Sequence, residues 1–254
     1  MVSFVPSDPF PLINLERHTL AELKTHAAAV DAWLGLRTDL IERELASYGS
    51  RARAPRSCGE HQQLWFGLDV QALMTPYCEI RALLERLQPR AGECIVDMGA
   101  AYGRMAFVVE RHFREVEFVG YEYVGERVHE ARRTFSLHRL KRSRIEHVDL
   151  ASPDFSLAEA QIYFIYDYGS PKAIEKSLHD LRRLAGRMAG SESGRDSGRE
   201  FGGRPLTVVG RGRHCRYLIA QRHPWLRQAF PGDPEGLYTV YRGSAATPAL
   251  AVAG

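Results

Sequence analysis

The stretch Val96-Asp97-Met98-Gly99-Ala100-Ala101-Tyr102-Gly103-Arg104 decides how the rest of the chain reads. Ahead of it, Cys94-Ile95-Val96-Asp97 is a short apolar run of the kind that forms a buried strand, and Arg104 to His112 behind it reads as a helix. Gly99 permits a tight turn and lets the backbone approach a ligand with no Cβ in the way. Gly103 opens the helix, whose N-terminus favours polar or anionic ligand groups. A dinucleotide fingerprint requires G-x-G-x-x-G, with the second glycine pressed against a pyrophosphate. Here Ala101 fills that slot, and Asp97 would face two phosphates at close range. A carboxylate at this strand end suits a cationic ligand. A nicotinamide-dependent oxidoreductase is the alternative that Ala101 and Asp97 argue against.

Outward from this stretch, strands and helices alternate. Strands are expected at Glu117–Glu122, Ile145–Val148, Ile162–Tyr166 and Leu206–Val209, with a last one at Tyr238–Tyr241. Val124, Val128, Ala131 and Phe135 stripe one intervening helix, with Glu126, Arg127, Glu130, Arg132 and Arg133 on its expected solvent side. Ile174, Leu178, Leu181 and Ala185 stripe another, and His214 to Leu226 reads as helical. The pattern calls for an α/β fold: a doubly wound, mainly parallel, Rossmann-like sheet with right-handed crossovers and its ligands at the carboxyl ends of the strands.

Upstream, residues 16–48 read as one helix striped by Leu20, Leu23, Ala27, Val30, Leu34, Ile41 and Leu45. The basic run Arg51 to Arg56, through Gly59, reads as a solvated loop. A further helix is expected from Thr75 as N-cap and Pro76 in the first turn, buried through Ile80, Leu83, Leu84 and Leu87. The chain thus divides into an N-terminal helical extension or cap, residues 1–72, and a Rossmann-like domain, residues 73–254. Within the latter, residues 186–204 hold six Gly, three Ser and four Arg, a composition expected of a flexible loop.

Three further strand ends carry acids. Glu122 closes the second strand, where an acid can accept both hydroxyls of a ribose. Asp149 follows the third strand in His147-Val148-Asp149-Leu150, placed to accept from an exocyclic amine such as that of adenine. Asp167-Tyr168-Gly169-Ser170-Pro171 follows the fourth, at the sheet centre where reacting groups would meet. Ala100, Ala101, Tyr102, Tyr123 and Leu150 are expected to wall the same adenosyl ligand.

These residues resemble the class I S-adenosylmethionine-dependent methyltransferases. Asp97-x-Gly99-x-x-x-Gly103 matches their first motif, Glu122 their ribose acid, Asp149 their adenine-side acid and Asp167 their fourth motif. The resemblance covers about Thr75 to Val209. It implies S-adenosyl-L-methionine as cofactor, methyl transfer as activity and a seven-stranded sheet whose last strand is antiparallel. A narrower resemblance is to the non-SET histone-lysine methyltransferases and related bacterial and mitochondrial lysine methyltransferases. It rests on the proline-containing segment Met74-Thr75-Pro76-Tyr77, which in that group can close over the cofactor. It brings Thr75 and Tyr77 into the cofactor site and makes protein lysine the expected acceptor, with RNA or a small molecule as alternatives. Asp167 and Tyr168 would then border the methyl group as catalytic residues, orienting an amine or taking its proton. Asp167 as the cap of a helix beginning near Pro171 is the plainer reading of that acid. A non-catalytic module that binds the cofactor and regulates a partner is the remaining alternative.

Composition excludes little more. Lys+Arg 34 against Asp+Glu 31 gives a net charge of +3, too small a surplus to imply nucleic-acid binding. Cys58, Cys78, Cys94 and Cys215 form no CxxC pair, and no two histidines stand at metal-ligand spacing, so no metal is expected. Met1 to Leu15 lacks the basic start of a signal peptide, and no apolar stretch approaches the roughly 20 residues that span a bilayer. The expected setting is cytoplasmic, away from membranes.

Overall fold

Cys94–Met98 forms β1, and Cys94, Ile95, Val96 and Met98 are all buried. A strand apolar on both faces needs cover on both, which a parallel α/β sheet supplies. In a computed structural model, which describes residues 2–51, 71, 74–191, 204–230 and 238–243, β1 lies inside a seven-stranded sheet. The other strands are β2 (Glu117–Glu122), β3 (Ser143–His147), β4 (Ile162–Tyr166), β5 (Thr207–Arg211), β6 (Leu226–Gln228) and β7 (Thr239–Gly243). Their order is β3-β2-β1-β4-β5-β7-β6. The first five strands pair in parallel, while β7 pairs antiparallel with both β5 and β6. The winding direction reverses between β1 and β4, which opens a crevice at their carboxyl ends.

Alternation along each strand divides the core into two layers. Ile95, Phe118, Phe164 and Val209 pack on one face with α3 (Tyr77–Leu87), α4 (Arg104–His112) and α5 (Gly125–Leu137). Val96, Val119, Tyr163 and Val208 face the other side, against α6 (Pro171–Ser191) and α7 (Arg213–Arg222).

The structure alters several expectations. The single helix over residues 16–48 is two, α1 (Leu20–Leu34) and α2 (Thr38–Arg51), broken at Gly35 with φ +71. Thr19 and Glu22 form a reciprocal capping box that starts α1, so Leu20 lies outside the buried stripe and is exposed. Thr75 caps nothing: α3 begins at Tyr77 with Pro76 at the cap position. Helix α6 continues to Ser191, so residues 186–191 are not loop, because apolar periodicity faded before the hydrogen-bonded turns did. The basic run after Arg51, Cys58 and residues 192–203 lie outside the described residues. The short β6 was invisible as a strand because its three residues offer one buried apolar side chain, Leu226. No described helix is long and apolar enough to cross a membrane.

The largest correction concerns α5, whose Glu126 and Arg132 face water as expected while Arg127 and Glu130 do not. Glu130 is fully buried and takes Arg37 and Arg133, the former by its backbone N–H (2.8 Å) and its guanidinium. Arg127 is buried too, with Nε 2.7 Å from Oε1 of Glu42 on α2. A second buried pair joins Asp31 of α1 to Arg104, which donates from Nε (3.1 Å) and from Nη2. Tyr77 completes it, donating its hydroxyl to Asp31 at 2.8 Å. Helices α1 and α2 are thus held on the α4–α5 side by buried charge as well as by apolar packing.

Removing one partner of a buried pair leaves an uncompensated charge, which costs far more than the intact pair contributes. Asp31→Ala is therefore expected to destabilise the protein by about 3–5 kcal/mol in denaturant unfolding. A loss under about 1 kcal/mol would show that Arg104 reaches water and that α1 is only loosely attached.

Candidate active site

The loop from Gly99 to Gly103 turns left-handed three times, at Gly99 (φ +82), Ala101 (φ +48) and Gly103 (φ +70). Ala101 holds this conformation against a Cβ clash worth roughly 1–2 kcal/mol. Its N–H donates to Oε2 of Glu122 at 2.8 Å, and Oε1 of the same carboxylate accepts from Val124 N–H at 2.8 Å. Gly99 and Ala100 both donate to the Tyr121 carbonyl at 2.9 Å. The loop is thereby tied to the end of β2. A Cβ on Gly99 would lie 2.4 Å from Cβ of Tyr168, and one on Gly103 would lie 2.5 Å from Cζ of Phe135. Gly103 is therefore required by packing against α5, not by passage of a ligand.

In front of this loop lies an open cleft at the carboxyl ends of β1, β4 and β5. Thr75, Asp97, Gly99, Ala100 and Ala101 line it, as the sequence led one to expect. Arg104, Tyr166, Arg211 and Tyr238 also line it, with Met74, Ile80, Leu83, Met105, Phe164 and Val209 forming an apolar wall. Asp97 stands at the end of β1. Burial, with the charge of Glu122 second, raises its pKa to about 7. Among the described residues its carboxylate has no hydrogen-bond or ion-pair partner.

Opposite in character is the group at the ends of β4, β5 and β7. Arg211 stacks between the rings of Tyr166 (4.6 Å) and Tyr238 (4.7 Å). Its Nη1 donates to Thr75 Oγ1 (3.1 Å), Glu79 Oε2 (3.2 Å) and the Tyr238 hydroxyl. The Tyr238 hydroxyl in turn donates to Thr75 Oγ1 at 2.7 Å. Arg211 and Tyr166 are strand-terminal residues, so the rule that found Asp97 and Glu122 would have found them as well. Tyr238, at the approach to β7, carries no such signal.

The sequence matches no protein-family model and no curated protein sequence. Among solved structures, it is similar to an RNA methyltransferase from Salinibacter ruber in complex with S-adenosyl-L-homocysteine. Identity there is 20% over 69% of this chain and 97% of that one, with a TM-score of 0.46. It is also similar to TrmN from Thermus thermophilus (14% identity, 67% of this chain, 49% of that one, TM-score 0.49) and to the YcgJ protein from Bacillus subtilis (15%, 52%, 48%, TM-score 0.37). The chain spans about half the length of the latter two. The strand order, the antiparallel β7 and the left-handed loop after β1 agree with the expected architecture. The fold is that of the class I S-adenosylmethionine-dependent methyltransferases.

Within this methyltransferase fold, several expected site residues have other partners. Tyr77 stacks on Phe10 (centroids 5.1 Å apart) and bonds Asp31, and Tyr102 donates its hydroxyl to Glu42 at 2.9 Å. Both are buried against the N-terminal helices and neither lines the cavity. Glu122 is buried beneath the loop it holds, while Asp149 accepts from Ala151 N–H at 2.8 Å. Tyr123 is exposed, its carbonyl 2.8 Å from Nε2 of His147, and Leu150 packs into the α6–α7 core layer. These four lie toward β2 and β3, beyond the residues that line the cavity.

Asp167 and Tyr168, the expected catalytic residues, both have structural partners, and neither lines the cavity. Asp167 (φ +22) accepts His214 N–H at 3.0 Å and Cys215 N–H at 2.8 Å, so both its oxygens cap α7. It acts as an N-cap in trans, one helix later than the plainer reading placed it. Gly212 leaves it room, since a Cβ there would lie 2.2 Å from Cγ of Asp167. Tyr168 is turned under α6, its hydroxyl 2.6 Å from Ser177 Oγ and donating to the Ala173 carbonyl (3.1 Å). Burial raises its pKa, so the phenol is no proton acceptor.

Two outcomes follow. Gly103→Ala is expected to lower the melting temperature, and adding Phe135→Leu is expected to recover part of the loss. The remainder is the left-handed cost of about 1–2 kcal/mol. No recovery would place the obstruction elsewhere than Phe135. Asp167→Ala is expected to cost about 1–2 kcal/mol and to remove hydrogen-exchange protection from the His214 and Cys215 amides. Unchanged stability and protection would free Asp167 for the chemistry again.

Proposed function

We propose that the chain binds S-adenosyl-L-methionine in this cavity and transfers its methyl group. The observation that carries the reading is the Asp97 carboxylate: half-buried at the end of β1, it lines the cavity and lacks a partner among the described residues. A carboxylate so placed is free to pair with a cationic or hydrogen-bond-donating ligand. The α-ammonium of the cofactor supplies one.

The cofactor's sulfonium supplies an activated methyl group, and in-line transfer needs alignment more than acid–base help. The apolar wall of Met74, Ile80, Leu83 and Met105 excludes water from that line, and Tyr166 at the end of β4 borders it. The expectation of a lysine acceptor relied on Asp167 to orient or deprotonate an amine. With Asp167 capping α7, that expectation loses its chemical basis.

S-adenosyl-L-homocysteine is expected to bind in titration calorimetry, and NAD far more weakly. Only ionised Asp97 pairs with an ammonium, so affinity rises with pH toward about 7 and levels off above it. Below that point it falls by up to about tenfold per pH unit. Asp97→Asn is expected to weaken binding by about 1.5–3 kcal/mol and to flatten this profile. Tight NAD binding without S-adenosyl-L-homocysteine binding would sink the assignment.

A further inference from the structure

The cavity has two ends of different character. Asp97 on β1 occupies one, and Arg211 on β5 occupies the other, with β4 between them. Two strand spacings and a two-residue offset along the strand separate their backbones by about 12 Å, so the two side chains serve different halves of the space.

Arg104, the other guanidinium in the lining, is already neutralised, because Asp31 takes its Nε and Nη2 and Gln71 takes Nη2 as well. Arg211 is arranged differently. Every hydrogen bond it makes among the described residues leaves from Nη1. Thr75, Glu79 and Tyr238 fix that nitrogen, and the rings of Tyr166 and Tyr238 hold the guanidinium plane. Nε and Nη2 remain as a preoriented pair of donors, the fork that matches a carboxylate or phosphate in two parallel hydrogen bonds. Behind it, Glu79 is 2% exposed and one of its oxygens has no partner, so that carboxylate anchors the arginine from the protein side.

We propose that the methyl acceptor is a small organic anion with an apolar body, whose carboxylate or phosphate is taken by the free edge of Arg211. This rests on the methyltransferase reading and specifies its acceptor. The body lies along the apolar wall, and Arg211 acts as a specificity residue that fixes the acceptor relative to Tyr166.

The test uses the full-length protein saturated with S-adenosyl-L-homocysteine and four probes of one shape: benzoate, phenyl phosphate, benzyl alcohol and benzylamine. Titration calorimetry and melting shifts are read for wild type, Arg211→Lys and Arg211→Met. The expected result is binding of benzoate or phenyl phosphate to wild type in the millimolar range and no binding of benzylamine. Arg211→Met should weaken the anion at least tenfold, and Arg211→Lys, which keeps the charge but loses the fork, by less. Which anion binds better separates a carboxylic from a phosphorylated acceptor. Equal binding of all four probes, preference for benzylamine, or no anion binding would overturn the proposal. So would a fall in S-adenosyl-L-homocysteine affinity in Arg211→Met, since Arg211 would then hold the cofactor's own carboxylate. If Arg211→Met fails to fold, the probe series on wild type still decides. Failure of S-adenosyl-L-homocysteine to bind wild type at all would instead strike at the methyltransferase reading.

Discussion

The left-handed turn after β1 is the constraint on which the remaining structure depends. Three positive φ values in five residues bring the backbone of Gly99 to Gly103 back over the sheet end. One carboxylate, Glu122, holds the turn against its tendency to relax, by accepting the Ala101 N–H. Its half-buried neighbour Asp97 is raised in pKa mainly by desolvation and next by that same charge. The acid that shapes the loop therefore also tunes the acid that faces the ligand.

The side chains leaving this turn point in opposite directions. Asp97 opens into the cavity, whereas Tyr102 and Arg104 reach Glu42 and Asp31 on the N-terminal helices. Buried ion pairs are poor sources of net stability but strong determinants of register. Here they set α1 and α2 against the cofactor loop, so a shift of those helices would be felt at the floor of the site.

At the opposite end, one arginine is held by a threonine, a glutamate and two tyrosines drawn from three parts of the chain. Thr75 and Glu79 come from the segment around α3, Tyr166 from β4 and Tyr238 from the approach to β7. Such an arrangement orders a guanidinium before any ligand arrives, which lowers the entropy lost on binding. Tyr166 and Arg211 occupy register-matched ends of adjacent strands, so the sheet itself sets their spacing.

The chain's own periodicity was enough for β1, β2, β4 and α4, because continuous apolar runs bounded by glycine admit one reading in a parallel sheet. That ligands would sit at the carboxyl ends of the strands followed from the same pattern, whereas the reversal of strand order beside β1 is seen only in the folded chain. Asp97, Gly99 and Thr75 were legible as site residues because local spacing places them at element ends. What tertiary structure alone decided was which way each polar side chain turned. Glu130 and Arg127 read as a solvent face until α2 and the Gly35 break brought Glu42 and Arg37 onto them. Asp167 read as catalytic until α7, nearly fifty residues later, offered it two unsatisfied amide groups. Arg211 gained its role only when Tyr238 closed over it. Backbone periodicity is a local property and is written in the sequence, whereas a polar side chain goes to whichever unmet partner the folded chain brings within reach.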